Sequence, residues 1–179
     1  LELGGNDPII VMEDADLDEA SSLAVQGSYK NSGQRCTAVK RMLVHESVRQ
    51  RFTDLVVDKT RAWKHGDPAD PQTDMGTVID ETAARLFEAR VAEAVGQGAR
   101  LLAGQVRHGA LYAPTVIDQV RPEMTVVREE TFGPVSPIIG FASIDEAITI
   151  SNGTAYGLSS AVCTQRMDYI TRFVNELQV

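Results

Sequence analysis

The 179-residue sequence lacks features that would place it in several common classes of protein. It has no basic excess, because 17 Lys and Arg residues oppose 25 Asp and Glu residues and the net charge is −8. Proteins that bind nucleic acid usually carry a basic excess or stripe. The longest apolar runs, at 8–12 and 137–141, span only a few residues, far below the roughly 20 that a membrane helix needs. The composition therefore argues against nucleic-acid and membrane partners.

Cysteine and histidine are also scarce. Cys36 and Cys163 lie far apart, which is too sparse for a disulfide framework and favours a reducing, cytoplasmic setting. The three histidines, His45, His65 and His108, have no paired cysteine or carboxylate at ligand spacing. We therefore predict no metal site.

The two ends of the sequence do not look like natural termini. The chain begins at residues 1–5, Leu-Glu-Leu-Gly-Gly, without an initiator Met, a basic segment or an apolar leader. Residues 168–179 are predicted to form a helix that stops without a cap. Since 43% of the residues are hydrophobic and 23% are charged, as in ordinary globular domains, we expect a single domain cut from a longer protein.

Apolar periodicity predicts alternating strands and helices. Strands are predicted at 8–12, 41–45, 101 onward, 115–117, 137–141 and 159–164, and helices at 17–29, 46–62, 81–97, 145–150 and 168–179. Asp16, with Glu19 three residues later, is a predicted helix N-cap, and Gly98 is predicted to end the helix at 81–97. The pattern predicts an α/β fold with three layers, in which helices cover both faces of a mostly parallel sheet.

The predicted helix at 81–97 has the clearest apolar face. Its apolar residues recur at the spacing of one helix face and are Ala83, Leu86, Phe87, Val91, Ala94 and Val95.

The segment around Cys36 differs from the rest of this acidic chain. From 30 to 41 it contains no acidic residue and four cations, Lys30, Arg35, Lys40 and Arg41. Positive charge near a thiol favours the thiolate, which is the nucleophilic form, and Gly33 and Gln34 add small or flexible backbone that a substrate or cofactor could approach. Packing of Cys36 as a small buried hydrophobe is an equally good interpretation. Cys163 is expected in the core of a strand.

Three separated segments together resemble one family. They are Glu-Leu-Gly-Gly at 2–5, Gly-Gln-Arg-Cys-Thr at 33–37 and Glu-Glu-Thr-Phe-Gly-Pro at 129–134. In this order they resemble the catalytic domain of the aldehyde dehydrogenase superfamily, and the likeness continues at 14–17 and 152–158. The resemblance therefore covers essentially the whole chain.

The resemblance implies a covalent mechanism. Cys36 matches the nucleophile that attacks an aldehyde carbon to give a thiohemiacetal, which passes hydride to NAD(P)+ and becomes a thioester. Glu2 matches the general base that activates water for hydrolysis of the thioester. The backbone N–H of Cys36 would hold part of the oxyanion. Branches of the family that transfer the acyl group to coenzyme A typically replace this residue. The presence of Glu2 therefore favours hydrolysis of the thioester to a free acid.

The resemblance also implies a cofactor site, formed in part by residues outside this chain. Glu130 matches the carboxylate that holds the nicotinamide ribose, Phe132 matches the ring beside the nicotinamide, and Leu3 and Gly4 adjoin the cofactor. The dinucleotide-binding domain and the oligomerisation segment are expected outside residues 1–179. We therefore expect this fragment alone to be inactive, and its parent to be a homodimer or homotetramer.

One further position separates this chain from many members of the family. Many relatives carry Lys after Glu-Leu-Gly-Gly, whereas this chain has Asn6.

Arg35 bears on the substrate. The run at 33–41 is similar to the branch that contains phosphonoacetaldehyde dehydrogenase and non-phosphorylating glyceraldehyde-3-phosphate dehydrogenase, in which this Arg meets the anionic group of the substrate. A guanidinium fork suits phosphonate or phosphate oxygens. We expect an anionic aldehyde, phosphonoacetaldehyde first, with Thr37 as a neighbouring substrate contact.

Alternative interpretations remain. Arg35 could serve only to lower the pKa of the Cys36 thiol, or could pair with a protein carboxylate. In either case semialdehydes and lactaldehyde are also candidate substrates. A non-catalytic relative and a cysteine hydrolase are further alternatives; the presence of Glu2 and the absence of a suitable His argue against them.

Overall fold

The computed structural model describes residues 4–178. Its strands are β1 (Pro8–Val11), β2 (Arg41–His45), β3 (Arg100–Ala103), β4 (Arg107–His108), β5 (Leu111–Tyr112), β6 (Thr115–Asp118), β7 (Val135–Phe141) and β8 (Ala161–Cys163). Its helices are α1 (Leu17–Tyr29), α2 (Glu46–Ala62), α3 (Glu81–Gly96), α4 (Thr125–Arg128), α5 (Ile144–Asn152) and α6 (Met167–Glu176). A short 3₁₀ segment, Lys30–Gly33, follows α1.

Six strands form one sheet, in the order β3-β6-β7-β2-β1-β8. The β6–β7, β7–β2, β2–β1 and β1–β8 pairs are parallel, and β3 pairs with β6 antiparallel. Strands β4 and β5 form a separate hairpin. The predicted mostly parallel sheet is confirmed.

Both faces of this sheet are buried. In β1 and just after it, Ile9 and Val11 belong to a hydrophobic cluster that includes α1 and α2, whereas Ile10 and Met12 belong to a second cluster that includes α3, α5 and α6. Because alternate side chains of a strand point to opposite faces, the sheet must lie between two helical layers. This arrangement confirms the three-layer α/β fold.

Helix ends follow the capping residues in the sequence. The Asp16 carboxylate accepts hydrogen bonds from the N–H groups of Asp18 and Glu19, at 3.0 and 3.1 Å, and so caps α1. Helix α2 covers the predicted residues. Helix α3 ends at Gly96, and Gly98 follows with a φ of +105°, a left-handed conformation that glycine adopts easily. No helix within residues 4–178 is long and apolar enough to cross a membrane.

The apolar face of α3 is narrower than predicted. Ala84, Phe87, Val91 and Ala94 are buried, at the regular spacing of a single stripe. Leu86 and Val95, placed on this face from the sequence, are 48% and 37% exposed. They lie on a flank of the helix, outside the stripe that meets the core.

The last predicted strand is also different from expectation. The sequence predicted a buried strand at 159–164, but β8 covers only Ala161–Cys163 and is partly exposed. It lies at the end of the sheet, where β1 is its single neighbour among residues 4–178. Cys163 is therefore half-buried at a sheet edge and not in a strand core. The hairpin β4–β5 and helix α4 were not predicted, because two-residue strands and a one-turn helix show no periodicity.

Candidate functional site

The three motif segments lie together at the end of the sheet where parallel strands begin. Residues 4–7 precede β1, residues 34–40 precede β2 and residues 129–134 precede β7. These three strands are parallel neighbours, so the segments that enter them lie side by side. Parallel pairing thus brings together residues that are more than 120 positions apart in sequence, for example where the Gly5 N–H donates to the Glu130 carboxylate at 3.1 Å.

Cys36 lies at the tip of a tight turn. The Ala38 N–H donates to the Arg35 carbonyl oxygen at 3.1 Å, which leaves Cys36 and Thr37 at the two central positions, both exposed. Exposure favours the nucleophile interpretation of Cys36 over packing as a buried hydrophobe. The Cys36 N–H makes no hydrogen bond within residues 4–178.

The backbone that leads into this turn is left-handed over three residues. Asn31, Ser32 and Gly33 have φ values of 56°, 55° and 71°. Such conformations are uncommon for residues other than glycine and persist only when the surroundings fix them. Here the Ser32 hydroxyl donates to the carbonyl oxygens of Gly76 and Thr77, at 3.1 and 3.3 Å.

Gly33 has a different role from the one expected. A Cβ at Gly33 would clash with the backbone carbonyl of Gly133, so the space beside it is filled by the protein itself and not left for a substrate or cofactor. The Gln34 side-chain oxygen likewise accepts a hydrogen bond from the Ile79 N–H at 2.8 Å. Both residues fix the loop against neighbouring segments.

Lys40 connects the nucleophile turn to the segment at 129–134. Its ammonium nitrogen lies 2.9 Å from the Arg35 carbonyl oxygen, 2.7 Å from the Cys36 carbonyl oxygen and 2.9 Å from Oε1 of Glu130. It also lies 5.6 Å from the centre of the Phe132 ring. The side chain is only 3% exposed, so these three acceptors satisfy all three of its donors in a desolvated place. The sequence indicated Lys40 only as one cation among four.

Gly4 lies directly against Glu130. Its φ is +72°, and a Cβ there would come within 2.7 Å of Oε2 of Glu130. Within residues 4–178, no donor bonds this Oε2 atom, whereas Oε1 is bound by Lys40 and Gly5. A carboxylate with one fixed and one free oxygen fits the acceptor that a ribose hydroxyl requires. The residues present therefore fit a nicotinamide cofactor. Glu2 and Leu3 lie outside the described residues.

Arg35 extends from the turn toward α1. Its Nη2 donates to the Gly27 carbonyl oxygen at 2.8 Å, and the Nε group is buried with no hydrogen-bond partner among residues 4–178. The guanidinium is thus only partly satisfied by the described part of the chain. Thr37 is exposed beside it.

Arg41 points away from the nucleophile turn. It is buried and donates to the carbonyl oxygens of Asn6, Ile150 and Ser151, at 2.6, 2.9 and 3.0 Å. Burial lowers the pKa of Arg41 to about 10, and the nearby Asp7 opposes the shift. Arg41 therefore ties the segment at 4–7 to the end of α5.

Asn6 also has a structural contact. Its amide donates to the Val127 carbonyl oxygen at 2.6 Å. Asn6 thereby holds the segment at 4–7 to α4.

Cys163 is half-buried, whereas Cys36 is exposed. Burial raises the pKa of Cys163 to about 11, and the Glu19 carboxylate contributes to the same shift. Both cysteines are free thiols. Within residues 4–178, no group of three or more His, Cys, Asp or Glu side chains is arranged to hold a metal ion.

Comparison with known proteins extends over the whole chain. The model of the aldehyde dehydrogenase family matches residues 1–179. The chain is 41% identical to 3,6-anhydro-alpha-L-galactose dehydrogenase of Vibrio sp. (strain EJY3), with 99% of this chain and 38% of the relative covered. It is 41% identical to sulfoacetaldehyde dehydrogenase of Neptuniibacter caesariensis, with 100% of this chain and 39% of that relative covered. It is 44% identical to succinate-semialdehyde dehydrogenase [NADP(+)] 1 of Mycobacterium ulcerans, with 99% of this chain and 40% of that relative covered.

A solved structure has the same fold. Glyceraldehyde-3-phosphate dehydrogenase GapN of Methanocaldococcus jannaschii, complexed with NADP, matches with a TM-score of 0.95 and 38% identity, over 99% of this chain and 38% of that chain. The chain therefore spans about two fifths of the length of the relatives it matches. The ordered motifs, the shared fold and the family match over all 179 residues show that this chain belongs to the aldehyde dehydrogenase family.

Proposed function

We propose that residues 1–179 are the nucleophile-bearing catalytic domain of an NAD(P)-dependent aldehyde dehydrogenase that oxidises an anionic aldehyde to a carboxylic acid. The observation that carries the proposal is the position of Cys36, exposed at the tip of a turn whose carbonyls are bound by the buried Lys40 ammonium, which also pairs with the partly buried Glu130. The rest of the complete protein would supply the dinucleotide-binding domain and the oligomerisation segment, and the complete protein would be a homodimer or homotetramer. Two free thiols fit a reducing compartment such as the cytoplasm.

The chemistry of the site begins with the thiolate of Cys36. Its sulfur attacks the aldehyde carbon, and the negative charge that develops on the oxygen is held in part by the Cys36 N–H, which the turn leaves without a partner within residues 4–178. NAD(P)+, when bound, supplies the hydride acceptor. Glu130 would hold the ribose through Oε2, Phe132 would pack beside the nicotinamide, and Gly4 would leave room for the Glu130 carboxylate. Glu2 would then activate the water that hydrolyses the thioester.

The anionic substrate is inferred from Arg35. This cation adjoins the nucleophile in sequence, and within residues 4–178 its guanidinium makes a single hydrogen bond, from Nη2 to the Gly27 carbonyl oxygen. A charge-assisted contact from a guanidinium orients phosphonate, sulfonate or carboxylate groups well. The names of the relatives from Neptuniibacter and Mycobacterium also indicate aldehydes that carry an acidic group. Phosphonoacetaldehyde is our first candidate, and sulfoacetaldehyde has the same two-carbon layout with another anionic group.

A second candidate is oxidation of aldehydes without selection for charge. Two observations favour it: Arg35 donates to the Gly27 carbonyl in its own chain, and the relative from Vibrio is named for an anhydrosugar. In that case Arg35 fixes the turn, and semialdehydes and lactaldehyde are oxidised as well as phosphonoacetaldehyde.

The test is a substrate panel on the complete protein that contains this segment. Reduction of NAD+ and of NADP+ is followed with phosphonoacetaldehyde, sulfoacetaldehyde, glyceraldehyde 3-phosphate, succinate semialdehyde, lactaldehyde and a neutral aldehyde of similar length. We expect a preference for anionic aldehydes that falls about tenfold or more in Arg35→Ala, the size of a lost charge-assisted contact. Arg51→Ala, an exposed arginine on α2, is the matched control and should leave the preference unchanged.

The outcomes separate the candidates. Equal turnover of neutral and anionic aldehydes, unchanged by Arg35→Ala, would support the second candidate. No nicotinamide reduction with any aldehyde would instead support a non-catalytic relative and refute the proposed activity.

A further inference from the structure

The three hydrogen bonds of Lys40 suggest a role that the motifs alone do not assign. Two of its acceptors are the backbone carbonyls on either side of the nucleophile, those of Arg35 and Cys36. The third is Oε1 of Glu130, which also accepts a hydrogen bond from the Gly5 N–H. A buried ammonium with this set of partners has little freedom to move.

The Arg35 carbonyl belongs to the same peptide group as the Cys36 N–H. None of the peptide bonds described is cis, and in a trans peptide the C=O and the N–H point in opposite directions. The Arg35 oxygen is bound by both the Lys40 ammonium, at 2.9 Å, and the Ala38 N–H, at 3.1 Å. The Cys36 N–H therefore points away from Lys40. A cation on the carbonyl oxygen also polarises the peptide group and makes its N–H a stronger donor.

We infer that Lys40 is a positioning residue for catalysis, which aims and polarises the Cys36 N–H so that it can hold the oxyanion formed when the sulfur adds to the aldehyde. Lys40 acts through the peptide group and does not touch the substrate. The inference rests on the proposed function, because it requires that an oxyanion forms beside Cys36.

Two other roles for Lys40 have different consequences. If it only neutralises Glu130, its loss affects use of the cofactor. If it only holds the turn together, its loss lowers stability and alters every reaction of the Cys36 thiol. A role in stabilising the oxyanion has a narrower signature, because only reactions that form an oxyanion should slow.

The first measurement compares turnover in the complete protein with the variants Lys40→Met, Lys40→Gln and Lys40→Arg. We expect kcat to fall by about 30-fold in Lys40→Met, less than the hundredfold or more seen when an oxyanion donor itself is removed. The KM values for the aldehyde and for NAD(P)+ should both stay within about threefold, since the ground state carries no oxyanion; a large rise in the KM for NAD(P)+ would instead indicate a role limited to Glu130. Lys40→Arg keeps the charge and should recover at least a third of the wild-type kcat.

Lys59→Met is the matched control. Lys59 also bonds a backbone carbonyl and a carboxylate, both from Asp18 at 2.8 Å, but it lies outside the site. Its substitution should leave kcat unchanged. Thermal melting of each variant confirms folding, and Lys40→Gln, which keeps a polar group in the buried position, carries the test if Lys40→Met does not fold.

The second measurement is alkylation of Cys36 by iodoacetamide, followed by mass spectrometry on the same proteins. Alkylation displaces iodide at a saturated carbon and forms no oxyanion, so its rate should change less than about threefold in the Lys40 variants. Unchanged kcat in both neutral variants, or alkylation that slows in parallel with turnover, would overturn the inference. Failure of the proposed function is visible separately, because the wild-type protein would then reduce no nicotinamide with any aldehyde.

Discussion

The two cysteines occupy regions of the molecule that differ in almost every physical respect. Cys36 is exposed on a turn, where left-handed residues, close backbone contacts and the buried Lys40 ammonium fix the main chain. Cys163 is half-buried in the edge strand β8, where burial raises the pKa of the thiol to about 11. The same side chain is therefore exposed in one place, and in the other it is partly covered and loses its proton only at high pH.

The two thiols differ both in burial and in the backbone around them. At Cys36, three segments that precede parallel strands contribute their N–H, carbonyl and carboxylate groups to a small volume. At Cys163, the strand contributes ladder bonds to β1 and little else. The region with the greater backbone constraint carries the proposed chemistry, in line with the general association of strained backbone with function.

The largest expected effect comes from removal of the nucleophile. In the complete protein, Cys36→Ala should lower the rate of NAD(P)+ reduction by about a thousandfold or more, because the covalent step is lost. Cys163→Ala is the control and should keep the rate within about twofold, since edge-strand packing does not reach the turn. Comparable losses in both variants would remove the distinction between the two regions.

The second prediction concerns the backbone of the nucleophile loop. Gly33→Ala should lower the free energy of unfolding by about 2–3 kcal/mol, because φ is +71° and the added methyl group meets the Gly133 carbonyl. Gly96→Ala, at the end of α3 with open space around it, should instead raise stability by up to about 1 kcal/mol. Chemical denaturation of the 179-residue chain measures both. Equal effects would show that the loop is not constrained as described.

The third prediction is the pH dependence of Cys163. With a thiol pKa of about 11, its thiolate fraction, and so its rate of alkylation by iodoacetamide, should rise about tenfold per pH unit from pH 8 to 10. The folded state holds this proton more tightly than the unfolded state, whose thiol pKa is near 8.5. The associated stability is complete below about pH 8.5 and is lost as pH rises toward 11. Cys163→Ser should lack this loss, and a plateau in alkylation below pH 9 would contradict the burial argument.

The smallest expected change in stability comes from an exposed position on α6. Val174 on α6 is 77% exposed, so Val174→Lys in the 179-residue chain should change the free energy of unfolding by less than about 0.5 kcal/mol. Phe173, its buried neighbour, is the contrast, since Phe173→Ala should cost about 3 kcal/mol or more. Denaturation curves distinguish the two, and a large effect at Val174 would mean that this surface is packed.

The sequence predicted the parts of the fold that depend on local chemistry. Asp16 caps α1 as predicted, and β2 and α2 have the predicted ends, because caps and apolar runs act over a few residues. The exposure of Leu86 and the edge position of β8 were not predicted, since both depend on which elements lie alongside in three dimensions.

The same distinction applies to the candidate site. The resemblance pointed to Cys36 and Glu130, but not to Lys40 as the link between them. That link exists because the strands β1, β2 and β7 are neighbours, and a Lys that becomes buried by such an arrangement looks, in the sequence, like any other cation.

Trapping the covalent intermediate tests most directly whether Cys36 is the nucleophile. The complete protein carrying Glu2→Gln, which should slow hydrolysis, is mixed with phosphonoacetaldehyde or the best substrate of the panel and NAD(P)+, quenched in acid and analysed by peptide mass spectrometry. We predict an acyl group on the peptide that contains Cys36, in step with formation of the first equivalent of NAD(P)H, and none on Cys163. Formation of NAD(P)H without an acyl group on Cys36 would contradict it.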